Sequence, residues 1–476
     1  MGSGPHAGGN YCYHPLLTLI FHCQLSLPCL NNFTEGPIAR QLGIFAAPIV
    51  ITSLLQVSIQ LINGLWVGNL LGSEAFGAVT VGTIMMMVVL AFVMGVNQAT
   101  LTVFAQLRGR GDQRAIRAYL SAFVIILGLL AVAISSLGFV FAQALLVLLN
   151  TPDTILDEAR VYLQINFAGT LLVLGYNFVS TVLRAFGDSR TPLYFVLLAT
   201  LLITLLSPLF IGVLGFGIAG AAMAIIAAQG GAFLYSLVHL ARKFPGHRFR
   251  LQLPRWEQVQ TILRLGIPSG AQMVVIHAGT MVILSLVNSL GADAVAGFGA
   301  AQRLDSLILL PAVALGTAVT AMAGQNIGAQ QWPRIAQITR AGLIYNTSIM
   351  LLLASILFVW AEPLVRLFIQ EEDSVAFGTR YLKTIAFFYP FIGLNFVFNS
   401  VVRGAGAMFQ VLALNIISLW LLRVPLAYWA TSVYGDAGVA LGIGLSFMLS
   451  AGFSFGYYRW GNWRTKRLFA EQKGDG

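Results

Sequence analysis

The sequence has 476 residues, of which 58% are hydrophobic and only 9% are charged, and its formal net charge is +10. Soluble domains carry about a quarter charged residues, so this composition excludes an ordinary soluble protein and indicates a chain solvated by lipid. The basic residues are scattered through alternate loops instead of forming one patch, which argues against a nucleic-acid partner.

Residues 1–37 are predicted to be an N-terminal extension ahead of the first long apolar segment. They contain the three cysteines, Cys12, Cys23 and Cys29, whose spacing matches no disulfide framework or common metal site. No basic segment precedes the apolar run there, so a cleavable signal peptide is not indicated. Asn32-Phe33-Thr34 fits a glycosylation sequon. We expect this extension to be mobile.

Twelve membrane-spanning helices are predicted after residue 40. A crossing needs about 20 apolar residues, and long continuous apolar runs favour helices over the alternating strands of a membrane barrel. The predicted helices are residues 42–68, 76–105, 118–147, 159–183, 191–213, 217–240, 262–289, 296–325, 341–361, 378–402, 408–432 and 437–458.

Lysine and arginine collect in alternate loops between these helices. One set of loops carries, among others, Arg108, Arg190, Arg255 and Arg334. The other set is mostly neutral or acidic, and its basic exceptions are Arg160, Arg366, Arg380 and Lys383. Because cytoplasmic loops are enriched in basic residues, both termini are predicted to be cytoplasmic. We expect a multi-pass protein of the plasma membrane, which is the inner membrane if the source is bacterial.

The two halves of the chain repeat at a spacing of 219 residues. Gln106-Leu107-Arg108-Gly109 recurs as Gln325-Asn326-Ile327-Gly328, and Gly72 and Gly291 have the same separation. Each half has an even number of helices, so the halves are parallel repeats, as in transporters whose site lies between them. The fold class is therefore an all-α membrane protein with twelve transmembrane helices in two parallel six-helix repeats. Its predicted parts are an N-lobe (38–240), a cytoplasmic basic linker (241–260), a C-lobe (261–460) and a cytoplasmic tail (461–476).

Asp305 is the one acidic residue, of 17, that lies deep in a predicted helix. An intramembrane carboxyl group indicates function by default, and burial disfavours its charged form, which suits a group that takes up and releases protons. The alternative is a structural ion pair with Arg303 or Arg423. Arg303 is two residues away and leaves the opposite helix face, so Arg423 is the better pairing candidate.

Other polar residues inside predicted helices have two interpretations each. His277 is a second candidate for ion coupling, although a lone intramembrane histidine is more often an interhelical contact. Asn177, Asn395 and Asn399 either hold helices together or line a cavity. Met86 offers an adaptable surface or simple packing. There is no phosphate-binding loop, nucleophile elbow or metal motif, so we expect neither an enzyme nor a cofactor.

These motifs together resemble the multidrug and toxic compound extrusion (MATE) family, and most closely its bacterial DinF-like branch. The resemblance covers about residues 38–460. It rests on Pro48, Gln56, Asn63, Val67-Gly68 and Gly72 in the first helix, on Arg184 to Pro192, on Ala301 to Asp305 with Pro311, and on Gly324 to Ala329. It implies secondary antiport, in which cationic or amphipathic compounds leave while protons or sodium ions enter and two lobes rock.

The sequence departs from the family where coupling is usually assigned. Asn63 stands where an aspartate is common in the first helix of the family. Ser207, which precedes Pro208 in the fifth predicted helix, likewise stands where the family has an aspartate. The resemblance therefore puts sodium coupling in doubt and leaves Asp305 as the buried carboxyl group. The residues predicted to contact the substrate are Gln56, Asn63, Met86, Asn177, Ser207, Asn395 and Asn399.

The leading hypothesis is a monomeric, proton-coupled exporter of organic cations or amphipathic compounds in the lipid bilayer. An alternative is a flippase for a lipid-linked or anionic amphipathic substrate. Such a protein would be expected to have a strongly basic cavity, whereas the deep arginines here are only Arg303 and Arg423. A channel or a membrane sensor is a third possibility, but no pore-filter sequence or soluble signalling domain is found.

Overall fold

The computed structural model describes residues 32–148, 151–243, 251–466 and 468–469, and these ranges hold fifteen α-helices. The three cysteines, the centre of the predicted linker and the end of the predicted tail lie outside the described residues. The helices are α1 Ile38–Leu71, α2 Ser73–Arg110, α3 Gln113–Leu148, α4 Asp153–Ala168, α5 Thr170–Ala185, α6 Arg190–Pro208, α7 Gly217–Lys243, α8 Trp256–Asn288, α9 Ala292–Gly328, α10 Trp332–Arg366, α11 Glu372–Ala386, α12 Tyr389–Gly404, α13 Met408–Ile416, α14 Val424–Tyr434 and α15 Asp436–Trp460.

These helices make twelve membrane crossings. Nine segments in the described ranges are individually long and apolar enough to cross, and the bent pairs α4 with α5 and α11 with α12 make two more. The twelfth is α2, whose 38 residues extend about 57 Å at 1.5 Å per residue. Each predicted helix is found. The observed helices are longer, because helical hydrogen bonding continues beyond the apolar layer: α10 begins at Trp332, not at residue 341.

The two halves share their irregularities as well as their helices. The bend between α4 and α5 is 46° and that between α11 and α12 is 54°. Gly169 lies at the bend between α4 and α5. Pro390 lies in the first turn of α12, directly after the bend between α11 and α12. Proline suits the start of a helix and prevents the preceding helix from continuing through it. Gly72 and Gly291 join α1 to α2 and α8 to α9 with φ of +88° and +111°, values that require glycine.

Two faces of the bundle are distinguished by their loops. We call the face that carries Arg108, Arg190, Arg255 and Arg334 the basic face, and the other, where α4 and α11 begin, the opposite face. Both ends of the described chain, Asn32 and Phe469, lie on the basic face, as the even number of crossings requires.

The hydrophobic core is shared between the halves only towards the basic face. One cluster of buried residues there joins α1, α2 and α5 to α8, α9 and α12, and it includes Phe45, Phe104 and Met322. Towards the opposite face, a second cluster contains residues of α1–α7 alone and a third contains residues of α8–α15 alone. The halves are therefore packed together at the basic face and have separate cores at the opposite face.

The last six residues of the predicted extension, residues 32–37, form a leading segment that packs against the bundle. Phe33 is fully buried and packs edge-on against Phe45, with ring centroids 4.8 Å apart. Its backbone N–H donates to Gln325 Oε1 at 3.2 Å, and its carbonyl accepts from Asn326 Nδ2 at 3.0 Å and from Arg334 Nη2 at 3.1 Å. Local sequence gave no sign of this contact, because its partners lie almost 300 residues away.

Candidate functional site

Asp305 lies at the junction of three helices of the C-lobe. Its carboxylate accepts a hydrogen bond from Tyr381 Oη of α11 at 3.2 Å, on Oδ2, and another from Tyr389 Oη of α12, on Oδ1. Both tyrosines are buried, while Asp305 is partly exposed. Because α11 and α12 are the two arms of a bent crossing, the carboxylate of α9 is held by both arms at once.

The predicted ion pair of Asp305 with an arginine is wrong. Arg423 donates from Nε to Ser446 Oγ at 3.2 Å, and its guanidinium lies 4.8 Å from the centre of the Phe447 ring. Arg303 is exposed and lies over Phe368 at 5.7 Å. The ion pairs within the described ranges do not include Asp305. The reason is that two tyrosine hydroxyl groups already satisfy the carboxylate, and Arg423 is held on α15.

His277 is not brought into this cluster. It is exposed on α8, and the hydrogen bonds of Asp305 come from tyrosines of α11 and α12. The geometry therefore gives no support to a shared coupling role for His277 and Asp305.

In the N-lobe, two of the predicted residues present unpartnered polar atoms. Asn63 of α1 is 2% exposed and Ser207 of α6 is fully buried, and neither Asn63 Oδ1 nor Ser207 Oγ has a hydrogen-bond partner within the described residues. The two helices pack along each other. A buried polar atom without a partner costs about 1–3 kcal/mol, so both positions are suited to receive a hydrogen bond from a ligand.

The remaining predicted contact residues differ in what they offer. Gln56 is exposed on α1, and Asn177 is half-buried on α5, where its amide donates to the Val173 carbonyl at 2.8 Å. Met86 is 9% exposed and belongs to the core of the N-lobe, which favours packing over an open surface. All three roles in binding stay predictions.

Asn395 and Asn399 form a closed polar cluster between α12 and α15. Asn399 Nδ2 donates to Asn395 Oδ1, and Ser454 Oγ of α15 lies 3.0 Å from Asn395 Oδ1 and 3.3 Å from Asn399 Oδ1. The amides satisfy one another and the serine, which is the arrangement expected of polar groups that hold helices together.

Sequence reasoning missed the hydrogen bonds that join the two lobes. Gln106 Nε2 of α2 donates to the Gly404 carbonyl at 2.7 Å, and Gln325 Nε2 of α9 donates to the Ala185 carbonyl at 2.8 Å. Donors and acceptors are each 219 residues apart, so the two bonds are related by the repeat. We call this pair the interlobe lock. The repeated Gln-x-x-Gly motif was the available signal.

The same motif brings the backbones of α2 and α9 together. A Cβ atom on Gly109 would overlap the backbone of Gln325, and one on Gly328 would overlap the backbone of Gln106. Glycine is needed at both positions because only its missing side chain permits this approach. The interlobe lock and these glycines all lie at the basic face, so the lobes are held together there, whereas their cores are separate towards the opposite face.

Comparison with known proteins agrees with this architecture. The family model described as MatE matches residues 48–209 and 268–429, one segment in each lobe. The probable multidrug resistance protein YpnP of Bacillus subtilis (strain 168) is 50% identical over 441 residues, covering 93% of this chain and 99% of that protein. The probable multidrug resistance protein NorM of Thermotoga maritima is 24% identical, covering 92% and 95% of the two chains.

A solved structure shows the same fold. The bent form of the MATE transporter VcmN from Vibrio cholerae superposes with a TM-score of 0.85 at 22% identity, covering 90% of this chain and 98% of that one. The predicted fold class of twelve helices in two repeats is thereby confirmed, and so is the predicted resemblance to the MATE family. The chain belongs to the multidrug and toxic compound extrusion (MATE) family, whose members are membrane transporters and not enzymes.

Proposed function

We propose that the protein is a secondary active exporter that moves organic cations or amphipathic compounds out of the cell in exchange for protons. The observation that carries this proposal is the placement of Asp305, a membrane-embedded carboxylate held by tyrosines from both arms of a bent helix. The names of the Bacillus and Thermotoga relatives support multidrug compounds as the substrate class.

Protonation of Asp305 changes which hydrogen bonds it makes. An ionised carboxylate accepts from both tyrosines, whereas the protonated group carries a donor on one oxygen. The tyrosine hydroxyl at the protonated oxygen must then accept instead of donate or move away, which changes how one arm of the bend between α11 and α12 is held to α9. A proton taken up at this point thus alters how the helices of the C-lobe pack.

Alternating access follows from the two ends of the lobe interface. We place the basic face in the cytoplasm, on the bias of lysine and arginine in the loops. In the state described here, the interlobe lock then closes the cytoplasmic side. Inward opening requires the bonds from Gln106 and Gln325 to break, and substrate enters between the lobes beside Gln56, Asn63, Asn177 and Ser207.

The test is dye efflux from proteoliposomes with proton and sodium gradients imposed separately. We expect the wild-type chain to export dye under the proton gradient, and Asp305→Asn to lose this activity at equal protein level. Asp293→Asn is the matched control, because Asp293 lies on the same helix near its end and accepts from Ser374 at 3.1 Å. Undiminished efflux by Asp305→Asn would reject the role of Asp305.

The sodium arm separates the coupling ions. Efflux driven by sodium alone would contradict proton coupling, while leaving export itself intact. We do not propose the anionic-lipid flippase, because the two deep arginines do not meet in one cavity: Arg303 lies over Phe368 and Arg423 is engaged with Ser446. We propose that the protein acts as a monomer that needs no cofactor.

A further inference from the structure

A groove on the C-lobe combines two cations with aromatic walls. It has a volume of about 470 Å³ and is formed by α10, α11, the bend before α12, and α15. Its lining includes Phe358, Arg380, Lys383, Phe387 and Leu441. The contributing residues all belong to the C-lobe, so this groove is not part of the interface between the lobes.

The two cations of the groove have no hydrogen-bond or ion-pair partner among the residues that the structure describes. Arg380 and Lys383 are exposed and three residues apart, which places them on one face of α11. Neither makes a hydrogen bond or an ion pair within the described residues. Arg366, near the same face of the bundle, differs in that it pairs with Glu362 at 3.1 Å and Glu372 at 2.9 Å. Arg380 and Lys383 are thus unpaired positive charges on a face whose loops are otherwise mostly neutral or acidic.

The position of these charges suits the headgroup layer. Arg380 is about 12 Å along α11 from the helix start at Glu372, at 1.5 Å per residue. Long basic side chains extend towards the interface while their carbon stems cover apolar surface. Both side chains can therefore reach the phosphates of the leaflet at the opposite face.

Below the cations, the walls of the groove are apolar. The rings of Phe358 and Phe387 lie with centroids 5.4 Å apart at an interplanar angle of 72°, and both are exposed. Leu441 of α15 completes this surface. A water-soluble anion would gain nothing from contact with these apolar walls. A molecule with an anionic headgroup and hydrocarbon chains can contact both the charges and the rings.

The fold itself does not require the cations. At the repeat spacing of 219 residues, the N-lobe has Val161 and Gln164 in place of Arg380 and Lys383. Gln164 is used differently, since its amide donates to the Phe139 carbonyl at 3.1 Å. The N-lobe therefore lacks this pair of cations at the equivalent positions.

From these observations we propose that the groove binds an anionic phospholipid. Its phosphate lies between Arg380 and Lys383, and its acyl chains lie along Phe358 and Phe387. The site adjoins the bend that positions Tyr389 against Asp305, so the bound lipid contacts the same bend from outside the C-lobe.

The experiment is a lipid titration of the purified full-length protein in detergent. Native mass spectrometry measures binding of phosphatidylglycerol and, as the neutral lipid, phosphatidylcholine. We expect phosphatidylglycerol to bind more tightly, and the double variant Arg380→Gln with Lys383→Gln to lower its affinity about thirtyfold, since each basic residue contributes several-fold near an anionic lipid.

Two controls accompany the double variant. Arg160→Gln removes an unpaired cation of the N-lobe on the same face and should leave phosphatidylglycerol affinity unchanged, and Arg380→Lys with Lys383→Arg should retain it. Equal binding of the two lipids, or unchanged affinity in the double variant, overturns the proposal. So does full competition by glycerol phosphate, because that result would identify a site for a free anion. Size-exclusion profiles show whether each variant is folded.

Discussion

Replacing Gln325 by alanine should open the basic face of the protein. The side chain makes two of the bonds found there: its Nε2 donates to the Ala185 carbonyl at 2.8 Å, and its Oε1 accepts from the Phe33 N–H at 3.2 Å. Its repeat partner Gln106 makes one, to the Gly404 carbonyl at 2.7 Å. Loss of these contacts affects only the state in which the lobes meet at this face, so the populations must shift away from it.

The structure sets the size of the effect. A buried hydrogen bond contributes about 1 kcal/mol net. Gln325→Ala should therefore disfavour the closed basic face by about 2 kcal/mol, which is roughly thirtyfold in the equilibrium constant, and Gln106→Ala by about half that energy, which is roughly fivefold. The two variants should differ although the residues are related by the repeat, because only Gln325 also holds the leading segment.

The assay is a distance measurement between spin labels on the two lobes. The labels are placed at Gln113→Cys and Ala336→Cys, exposed positions at the basic ends of α3 and α10, after Cys12, Cys23 and Cys29 are replaced by serine. We expect a longer distance to gain population in Gln106→Ala and more so in Gln325→Ala.

Gln337→Ala, which removes an exposed glutamine of α10, serves as the control for this measurement. Distances in Gln325→Ala that match this control would refute the reasoning. An effect of Gln106→Ala larger than that of Gln325→Ala would refute the assignment of the extra bond.

Three further predictions concern single positions. Phe33→Ala should lower the free energy of unfolding by about 3–5 kcal/mol, the usual loss for a buried phenylalanine. Phe409→Ala, at a site that is 66% exposed, should not lower it. Thermal unfolding curves that shift equally in the two variants would contradict the burial of Phe33. Gly328→Ala should keep the lobes apart at the basic face, because the added Cβ meets the backbone of α2. The control Gly452→Ala, at a position with open space around it, should leave the distances in the same spin-label assay unchanged. A wild-type distance distribution in Gly328→Ala would show that the close approach is dispensable. Asn63→Asp places a carboxyl group at an unpartnered buried position and should make efflux respond to a sodium gradient, and continued indifference to sodium would remove this position from any cation site.

Helix number and repeat symmetry were predictable because both depend on features spread over many residues. Apolar runs of spanning length repeat along the whole chain, and pairs such as Gly72 and Gly291 hold one spacing. The observed turn geometry at these two glycines has the same positive φ in both lobes. A single helix end was less predictable, since the start of α10 at Trp332 depends on polar turns outside the apolar layer.

The surroundings of Asp305 were only half predictable. Its depth followed from sequence position alone. Its partners did not, because the rotation of α12 after a bend of 54° decides that Tyr389 faces α9. In the sequence, Tyr389 is one of several neighbouring aromatic residues, and Arg423 is the more obvious partner. Only the packing of α15 shows that Arg423 is already held by Ser446 and Phe447.

The two bonds of the interlobe lock are related by the repeat, but the leading segment adds contacts to only one of them, that of Gln325. Gln252 occupies the position 219 residues after Phe33, and it is exposed just before α8. The N-lobe thus has a buried aromatic residue at a position whose repeat equivalent is an exposed glutamine. When the lobes separate, the hydrogen bonds of Phe33 with Gln325, Asn326 and Arg334 must break. The C-terminal end crosses the junction as well, since the Phe469 ring lies 5.4 Å from the Tyr119 ring of the N-lobe, so both ends of the described chain brace the basic face against separation of the lobes.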